Sequence, residues 1–117
     1  MSERTRFPNR RASETIKATI GGQNVYITYS RFADGRIGEV FCAVNKSGSA
    51  FRGLLDGLAI TISIALQYGV PLEVMTSALK NISFEPNGAV DGNPLVERCT
   101  SIMDYLVRAL DAESRAP

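Results

Sequence analysis

One apolar stretch constrains the fold of this 117-residue chain more than any other feature. Residues 53–73 read GLLDGLAITISIALQYGVPLE, and no charged residue lies between Gly57 and Gly69. At about 100° per residue, the stretch predicts a long helix with a broad apolar face. A second apolar strip lies on the other flank of that helix: Ile60, Ile64 and Tyr68. Because a surface helix needs only one apolar face, we expect this helix to be covered on both sides, by its own sheet and by other helices or a second copy.

The end of this helix is marked by three consecutive residues, Gly-Val-Pro. Gly69 fits the left-handed conformation that commonly follows a helix, and Pro71 fits the first turn of the next helix. The spacing predicts that next helix over residues 71–81.

Alternating residues before the helix predict three strands within residues 13–44. Ile16, Ala18 and Ile20 share one face of the first strand. Gly21-Gly22 predicts a tight hairpin turn, and the Ala-Asp-Gly-Arg sequence at 33–36 predicts a second turn. Since connections this short cannot cross over, the strands form a three-stranded antiparallel meander.

Residues 83–93 are rich in Pro, Gly and Asn and predict a loop. A final helix is expected to begin with Asn93 as its cap and Pro94 at its first position, with Asp104 and Arg108 paired four residues apart. The predicted fold class is therefore α+β, a three-stranded antiparallel meander followed by three helices packed on one face. We expect a single domain over residues 13–112, a flexible basic arm at 1–12 and a frayed tail at 113–117.

Charge and composition exclude several classes of protein. The net charge is +1, so no global field selects nucleic acid or membrane. The N-terminus lacks a secretory signal, and the apolar stretch is shorter than the roughly 20 residues of a membrane span, so we expect a cytoplasmic protein with no membrane partner. Cys42 and Cys99 lie within apolar patterns and are interpreted as buried thiols rather than a disulfide.

No catalytic or metal site is predicted. The chain has no histidine, the commonest general base and zinc ligand, and its two cysteines are far apart. The acidic residues are scattered, and no nucleophile is placed beside a base.

Two segments are candidates for binding phosphate groups. The first is the arginine-rich N-terminus, and the second is the sequence NKSGS at 45–49, which precedes a predicted helix. A solubilising terminus and a simple capping loop are the alternative interpretations. The candidate residues are Arg4, Arg6, Arg10, Arg11, Lys46, Ser47 and Ser49.

Several segments in this order resemble one known family. They are DGRIGEVF (34–41), NKSGS (45–49), GLLDGLAITISIALQYGVPLE (53–73), FEPNG (84–88) and SIMDYLVRAL (101–110). Together they resemble the TSCPD domain, over residues 4–110. That domain occurs near the C-terminus of adenosylcobalamin-dependent (class II) ribonucleotide reductases and as short free-standing bacterial proteins, and the opening RTRFPNRRAS is similar to the start of the short forms.

The resemblance implies an accessory role rather than catalysis. In those reductases the radical chemistry belongs to a large barrel domain that this chain lacks, and adenosylcobalamin is expected only in the full-length enzymes. No catalytic residue carries over, so we expect no activity from this chain alone. The expected function is a non-catalytic interaction module linked to deoxyribonucleotide synthesis, forming a homodimer or higher oligomer, with a ribonucleotide reductase or another protein as partner. The alternative is a small nucleic-acid or nucleotide-binding protein that uses the arginine arm and the Lys46 loop.

Overall fold

The computed structural model describes residues 3–45 and 48–116, which form an antiparallel sheet with three helices. The five strands are β1 (Glu14–Ile20), β2 (Gln23–Arg31), β3 (Ile37–Val44), β4 (Gly88–Asp91) and β5 (Arg98–Cys99). The three helices are α1 (Ser49–Gln67), α2 (Leu72–Leu79) and α3 (Ile102–Arg115). The strand order is β3-β2-β1-β4-β5, so the first three strands form the predicted meander and β3 lies at an edge of the sheet.

The predicted meander is confirmed, including its turns. Gly21 and Gly22 take positive φ angles of 56° and 80°, the conformation that a two-residue hairpin turn of this kind requires. The following turn contains Gly35 at a φ of 93°, and the amide of Arg36 donates to the Asp34 carboxylate at 3.0 Å. These short connections make β1, β2 and β3 neighbours in chain order.

Residues 83–87 form the predicted loop, but the prediction for residues 88–101 was wrong. Residues 88–91 form β4, which pairs with β1 and extends the sheet beyond the three predicted strands. The last helix begins at Ile102 instead of Asn93, because the Asn93 side chain makes a local turn, accepting from the amide of Leu95 at 3.1 Å. Ser101 is the true cap, and its hydroxyl accepts from the Asp104 amide at 3.0 Å.

The hydrophobic core lies between one face of the sheet and the helices α1 and α3. On the sheet it contains the residues that alternate inward, such as Ile20, Ile27 and Val40. Helix α3 contributes Leu106 and Leu110, both fully buried. Helix α2 packs against α3 and has no fully buried residue, so it forms an outer layer of the domain.

The corner between α1 and α2 is built as the sequence predicts. Gly69 has a φ of 93°, in the left-handed region that a side chain with a β-carbon rarely adopts. Its amide donates to the carbonyl of Leu66 at 3.0 Å, and the next amide, of Val70, donates to Ala65 at 3.0 Å. Pro71 then caps α2, which begins at Leu72. The glycine therefore ends α1 and permits the turn into α2.

By length and composition alone, α1 could cross a membrane. The core helix of a water-soluble protein passes the same test, and here the inward side of α1 packs on β3. The absence of a membrane partner stays a prediction.

Candidate interaction surfaces

The outward side of α1 exposes several large apolar side chains. Leu54, Ile60 and Tyr68 expose 74%, 56% and 42% of their area, and Ile64 between them is half-buried. Gly53 and Gly57 lie on the same side, where an added β-carbon would touch nothing within 4 Å. This surface, hereafter the outer face of α1, contains the three residues that the sequence assigned to the second apolar strip.

The polar residues of α1 explain which way the helix faces. Ser63 accepts a hydrogen bond from the amide of Val40 at 2.9 Å, and Gln67 donates to the carbonyl of Gly38 at 3.0 Å. Both side chains are buried against the edge of β3. Because an edge strand has unpaired backbone groups, these two bonds hold the polar stripe against the sheet and turn the apolar strip towards solvent.

The N-terminal segment lies on the domain in the part of it that the structure describes. Arg4 donates to the Gln67 side chain at 2.7 Å, and the amide of Thr5 donates to the Gln67 carbonyl at 2.8 Å. Phe7 stacks on Phe32 with ring centroids 4.8 Å apart. The predicted flexible arm therefore has several contacts with the folded domain, while its flexibility itself stays a prediction.

Arg11 makes the strongest contact of this segment. Its guanidinium binds both carboxylate oxygens of Glu39, at 2.7 and 2.5 Å, and Glu39 is only 8% exposed. The side-chain bond to Glu39 raises the pKa of Arg11. Among the described residues, Arg6 and Arg10 make no such bond and are exposed. Of the four arginines predicted to bind phosphate, Arg4 and Arg11 thus bond to other residues of the chain, whereas Arg6 and Arg10 face solvent.

The predicted phosphate loop receives no structural support. Lys46 and Ser47 lie outside the described residues. Ser49 is the first residue of α1, but the cap position is Gly48, and no side chain caps this helix end. The role of this loop stays a prediction.

A cavity of about 780 Å³ forms an open cleft beside the α1–α2 corner. Its charged residues are Glu14, Arg31, Asp34, Arg36, Glu73 and Glu113. At its edge the hydroxyl of Tyr29 lies 2.9 Å from the carboxylate of Glu14 and 3.0 Å from that of Glu113. The pKa of Tyr29 is raised, chiefly by burial and to a smaller extent by its bonds to these two carboxylates. The Arg31 guanidinium donates to two backbone carbonyls instead of a carboxylate. This cluster joins the end of α3 to β1 and β2.

Both cysteines are buried and free, as the sequence predicts. Burial, with a smaller contribution from Asp56, raises the pKa of Cys42 to about 12. Burial also raises the pKa of Cys99, which lies on β5 instead of the predicted helix. Thiols of this kind are poor nucleophiles and poor metal ligands. Within residues 3–45 and 48–116, no cluster of three or more His, Cys, Asp or Glu side chains could hold a metal ion.

The model of the TSCPD domain matches residues 3–114 of the chain. The chain belongs to the TSCPD domain family. It is 50% identical over 108 residues to a vitamin B12-dependent ribonucleotide reductase of Agrobacterium fabrum, covering 92% of this chain and 8% of that protein. The reductase of the same description from Bradyrhizobium diazoefficiens is 44% identical over 94% of this chain and 9% of its own length. That from Streptantibioticus cattleyicolor is 42% identical over 92% of this chain and 18% of its own length.

This TSCPD domain thus spans less than a fifth of the length of these relatives and is homologous to one part of them. No solved structure matches the chain.

The cofactor in the relatives' name does not fit the residues of this domain. The chain contains no histidine to ligate a metal, and both thiols are buried. The cleft beside the α1–α2 corner is open, and four of its charged residues are acids. Its volume suits a ligand of drug size, whereas adenosylcobalamin is far larger. No chemical step in this domain is therefore derived through that cofactor.

Proposed function

We propose that this TSCPD domain is a non-catalytic interaction module, related by descent to ribonucleotide reductase and so to deoxyribonucleotide synthesis. The observation that carries the proposal is the outer face of α1, where exposed Leu54, Ile60 and Tyr68 surround an uncharged helix surface. Exposed apolar patches of this kind mark sites of protein association. The interface residues proposed from the sequence, Ile60, Ile64 and Tyr68, all belong to this face.

A second copy of the chain is the occupant that we propose for this face. In a two-fold dimer, residues near the axis meet their own copies, so a charge there would meet a like charge. The stretch from Gly57 to Gly69 contains no charged residue and avoids this repulsion. Gly53 and Gly57 leave open space on the helix surface, which allows two helix backbones to approach closely.

Cross-linking across the outer face tests this dimer. Cys42 and Cys99 are buried, so an Ile60→Cys variant would carry one accessible thiol. A short bismaleimide should convert that variant to a covalent dimer. Val74→Cys is the matched control, because Val74 is similarly exposed but lies on α2. Equal cross-linking of the two variants, or none of either, would contradict the proposed interface.

The second partner that we propose is a ribonucleotide reductase or another protein of the same pathway, in the cytoplasm. Homology to part of the vitamin B12-dependent reductases supports this link. Co-elution of the wild-type chain with the reductase of the same cell, on size-exclusion chromatography, is the expected result. Separate elution at micromolar concentrations of both proteins would contradict a direct complex.

Nucleic-acid or nucleotide binding is the second candidate function. The supporting observation is that Arg6 and Arg10 are exposed and make no hydrogen bond or ion pair within the described residues. Such arginines are available to neutralise phosphates. Substituting both by Ala should then weaken binding of a labelled oligonucleotide and flatten its salt dependence, whereas unchanged binding would remove the arm from this function.

A further inference from the structure

A polar stripe runs along α1 beside its outer face. At about 100° per residue, four polar side chains fall on this stripe: Arg52, Asp56, Ser63 and Gln67. The last two are buried against β3, whereas the first two are exposed near the start of the helix. Within the described residues neither Arg52 nor Asp56 forms an ion pair, although their spacing of four residues would allow them to pair with each other. The start of the stripe therefore carries two charges that these residues leave unpaired.

The N-terminal segment places a cation at the other end of the stripe. The Arg4 Nε donates to the Gln67 side chain at 2.7 Å, and the amide of Thr5 donates to the Gln67 carbonyl at 2.8 Å. Arg4 is half-buried but forms no ion pair in the part of the chain that the structure describes. The adjacent Glu3 is exposed and lines a small cavity together with Tyr68. The stripe thus ends beside an oriented guanidinium, whose geometry suits a carboxylate.

The symmetry of a dimer decides which of these charges meet. The exposed apolar residues of α1 run from Leu54 to Tyr68, so two copies overlap most fully when they cross near the midpoint, Thr61. In an antiparallel pair related by a two-fold axis, the two polar stripes lie on the same side of the contact with their ends exchanged. Asp56, five residues before the midpoint, then faces the partner's helix beside the partner's Gln67. A parallel pair would instead place the two stripes on opposite sides of the contact.

From this geometry we propose that the two copies of α1 cross antiparallel and that Arg4 of each copy binds the Asp56 carboxylate of the other. This arrangement rests on the self-association through the outer face of α1 proposed above. The neighbouring charges agree with it, because Arg52 lies one turn before Asp56 and meets the end of the partner's α1, where the partner's Glu3 lies. Complementary charges of this kind fix the register of an interface. Gln67 orients Arg4 beforehand, which reduces the entropy lost on binding.

Disulfide formation between exposed positions of α1 tests the orientation. Leu54 and Tyr68 lie 14 residues apart, which is about 21 Å along the helix. Leu54→Cys and Tyr68→Cys chains that carry tags of different size are co-expressed, purified together and oxidised; Cys42 and Cys99 are buried. The mixed dimer should cross-link, because the two positions meet in an antiparallel pair. Each variant alone should not, because its two thiols are about 21 Å apart, too far for a disulfide.

The outcomes separate this orientation from the dimer itself. Self-linking of Leu54→Cys would overturn the antiparallel arrangement, and so would the lack of a mixed product while Ile60→Cys still cross-links with the bismaleimide. If Ile60→Cys also fails to cross-link, the dimer on which the arrangement depends is overturned as well.

Charge reversal tests the contact between Arg4 and Asp56. Asp56→Arg and Arg4→Asp each place like charges at both symmetric contacts and should weaken self-association about tenfold at about 50 mM salt. Combined in one chain, the two substitutions restore opposite charges and should recover the wild-type affinity. Arg6→Asp is the matched control, because Arg6 is exposed on the same segment and has no bond to Gln67 among the described residues. It should leave the affinity unchanged.

Sedimentation equilibrium measures the affinity of each variant, and circular dichroism establishes that each is folded. Equal weakening by Arg6→Asp, or a double variant no tighter than the single ones, would overturn the contact between Arg4 and Asp56.

Discussion

Ser63 of α1 bonds to the backbone of Val40 on the edge strand β3. The Ser63 hydroxyl oxygen accepts a hydrogen bond from the Val40 amide at 2.9 Å. The hydroxyl proton is shared between the Val40 carbonyl, at 3.1 Å, and the Ala59 carbonyl, at 2.8 Å. One side chain thereby satisfies backbone groups that an edge strand would otherwise leave unpaired. The same contact fixes the rotation of α1 and so exposes Ile60 and Tyr68 on its other side.

Replacing Ser63 by Ala should destabilise the domain by about 1–3 kcal/mol, because the buried Val40 amide would lose its acceptor. Thr61→Ala is the control, since the exposed Thr61 hydroxyl donates to the Gly57 carbonyl of its own helix and makes no bond to the sheet within the described residues. Urea unfolding of both variants measures the difference. Equal stability of the two variants would show that the edge contact contributes nothing.

Arg11→Ala should lower the melting temperature, whereas Arg10→Ala should leave it unchanged. Arg11 is the partner of the nearly buried Glu39 carboxylate, and its loss leaves that charge uncompensated. Arg10 is exposed and makes no such bond among the described residues. Differential scanning calorimetry compares the two variants. If both variants have the melting temperature of the wild type, the contact between Arg11 and Glu39 does not stabilise the domain.

Asp104 makes the stability of the domain sensitive to acid. Burial alone would raise its pKa, but the amides of Asn81 and Thr100 and the guanidinium of Arg108 donate to it and together hold the pKa below the ordinary 3.8. The folded state therefore binds this proton less readily than the unfolded state. The resulting stabilisation is complete above pH 3.8 and is lost as the pH falls through the folded-state pKa.

Asp104→Asn should accordingly lower stability at pH 7 and flatten the pH dependence below pH 4. Asp111→Asn is the control, because Asp111 pairs four residues along α3 with a largely exposed Arg115, and such pairs contribute about 0.3–0.5 kcal/mol. Chemical denaturation between pH 2 and pH 7 measures both effects. An unchanged acid slope in Asp104→Asn would contradict this role of the carboxylate.

Both cysteines should react slowly with a thiol reagent in the folded protein. Their burial, and the raised pKa of about 12 for Cys42, leave little accessible thiolate at neutral pH. Ellman's reagent should titrate two thiols promptly after unfolding and neither promptly before it. Fast reaction of either thiol in the folded protein would contradict this prediction and would be evidence for a redox role of that cysteine.

Local turn chemistry made the first half of the fold predictable from the sequence. Gly21-Gly22 and Asp34-Gly35 specify the hairpins, and Gly69 specifies the end of α1. The α3 boundary failed because Asn93-Pro94 is also a valid helix start. In the structure the Asn93 side chain accepts from the Leu95 amide and donates to the Tyr105 hydroxyl at 3.0 Å, and this second, tertiary bond has no signal in the local sequence. β4 was missed because a four-residue strand has too few alternating positions to give a pattern.

The candidate surfaces were predictable in part. The spacing of Ile60, Ile64 and Tyr68 identified the apolar strip. The inward direction of Ser63 and Gln67 was not predictable, because periodicity does not distinguish a polar stripe facing solvent from one that bonds to a strand edge. The contact between Arg11 and Glu39 joins residues 28 apart and has no local signal in the sequence.

Light scattering of the wild-type chain after size-exclusion chromatography tests most directly whether the outer face of α1 joins two copies. At tens of micromolar protein, the predicted mass is at least twice the 12.7 kDa of one chain. An Ile60→Lys, Ile64→Lys variant should shift to the mass of one chain, since it places like charges across the proposed interface. A wild-type mass of one chain at these concentrations, or a double variant that stays dimeric, would contradict self-association through this face.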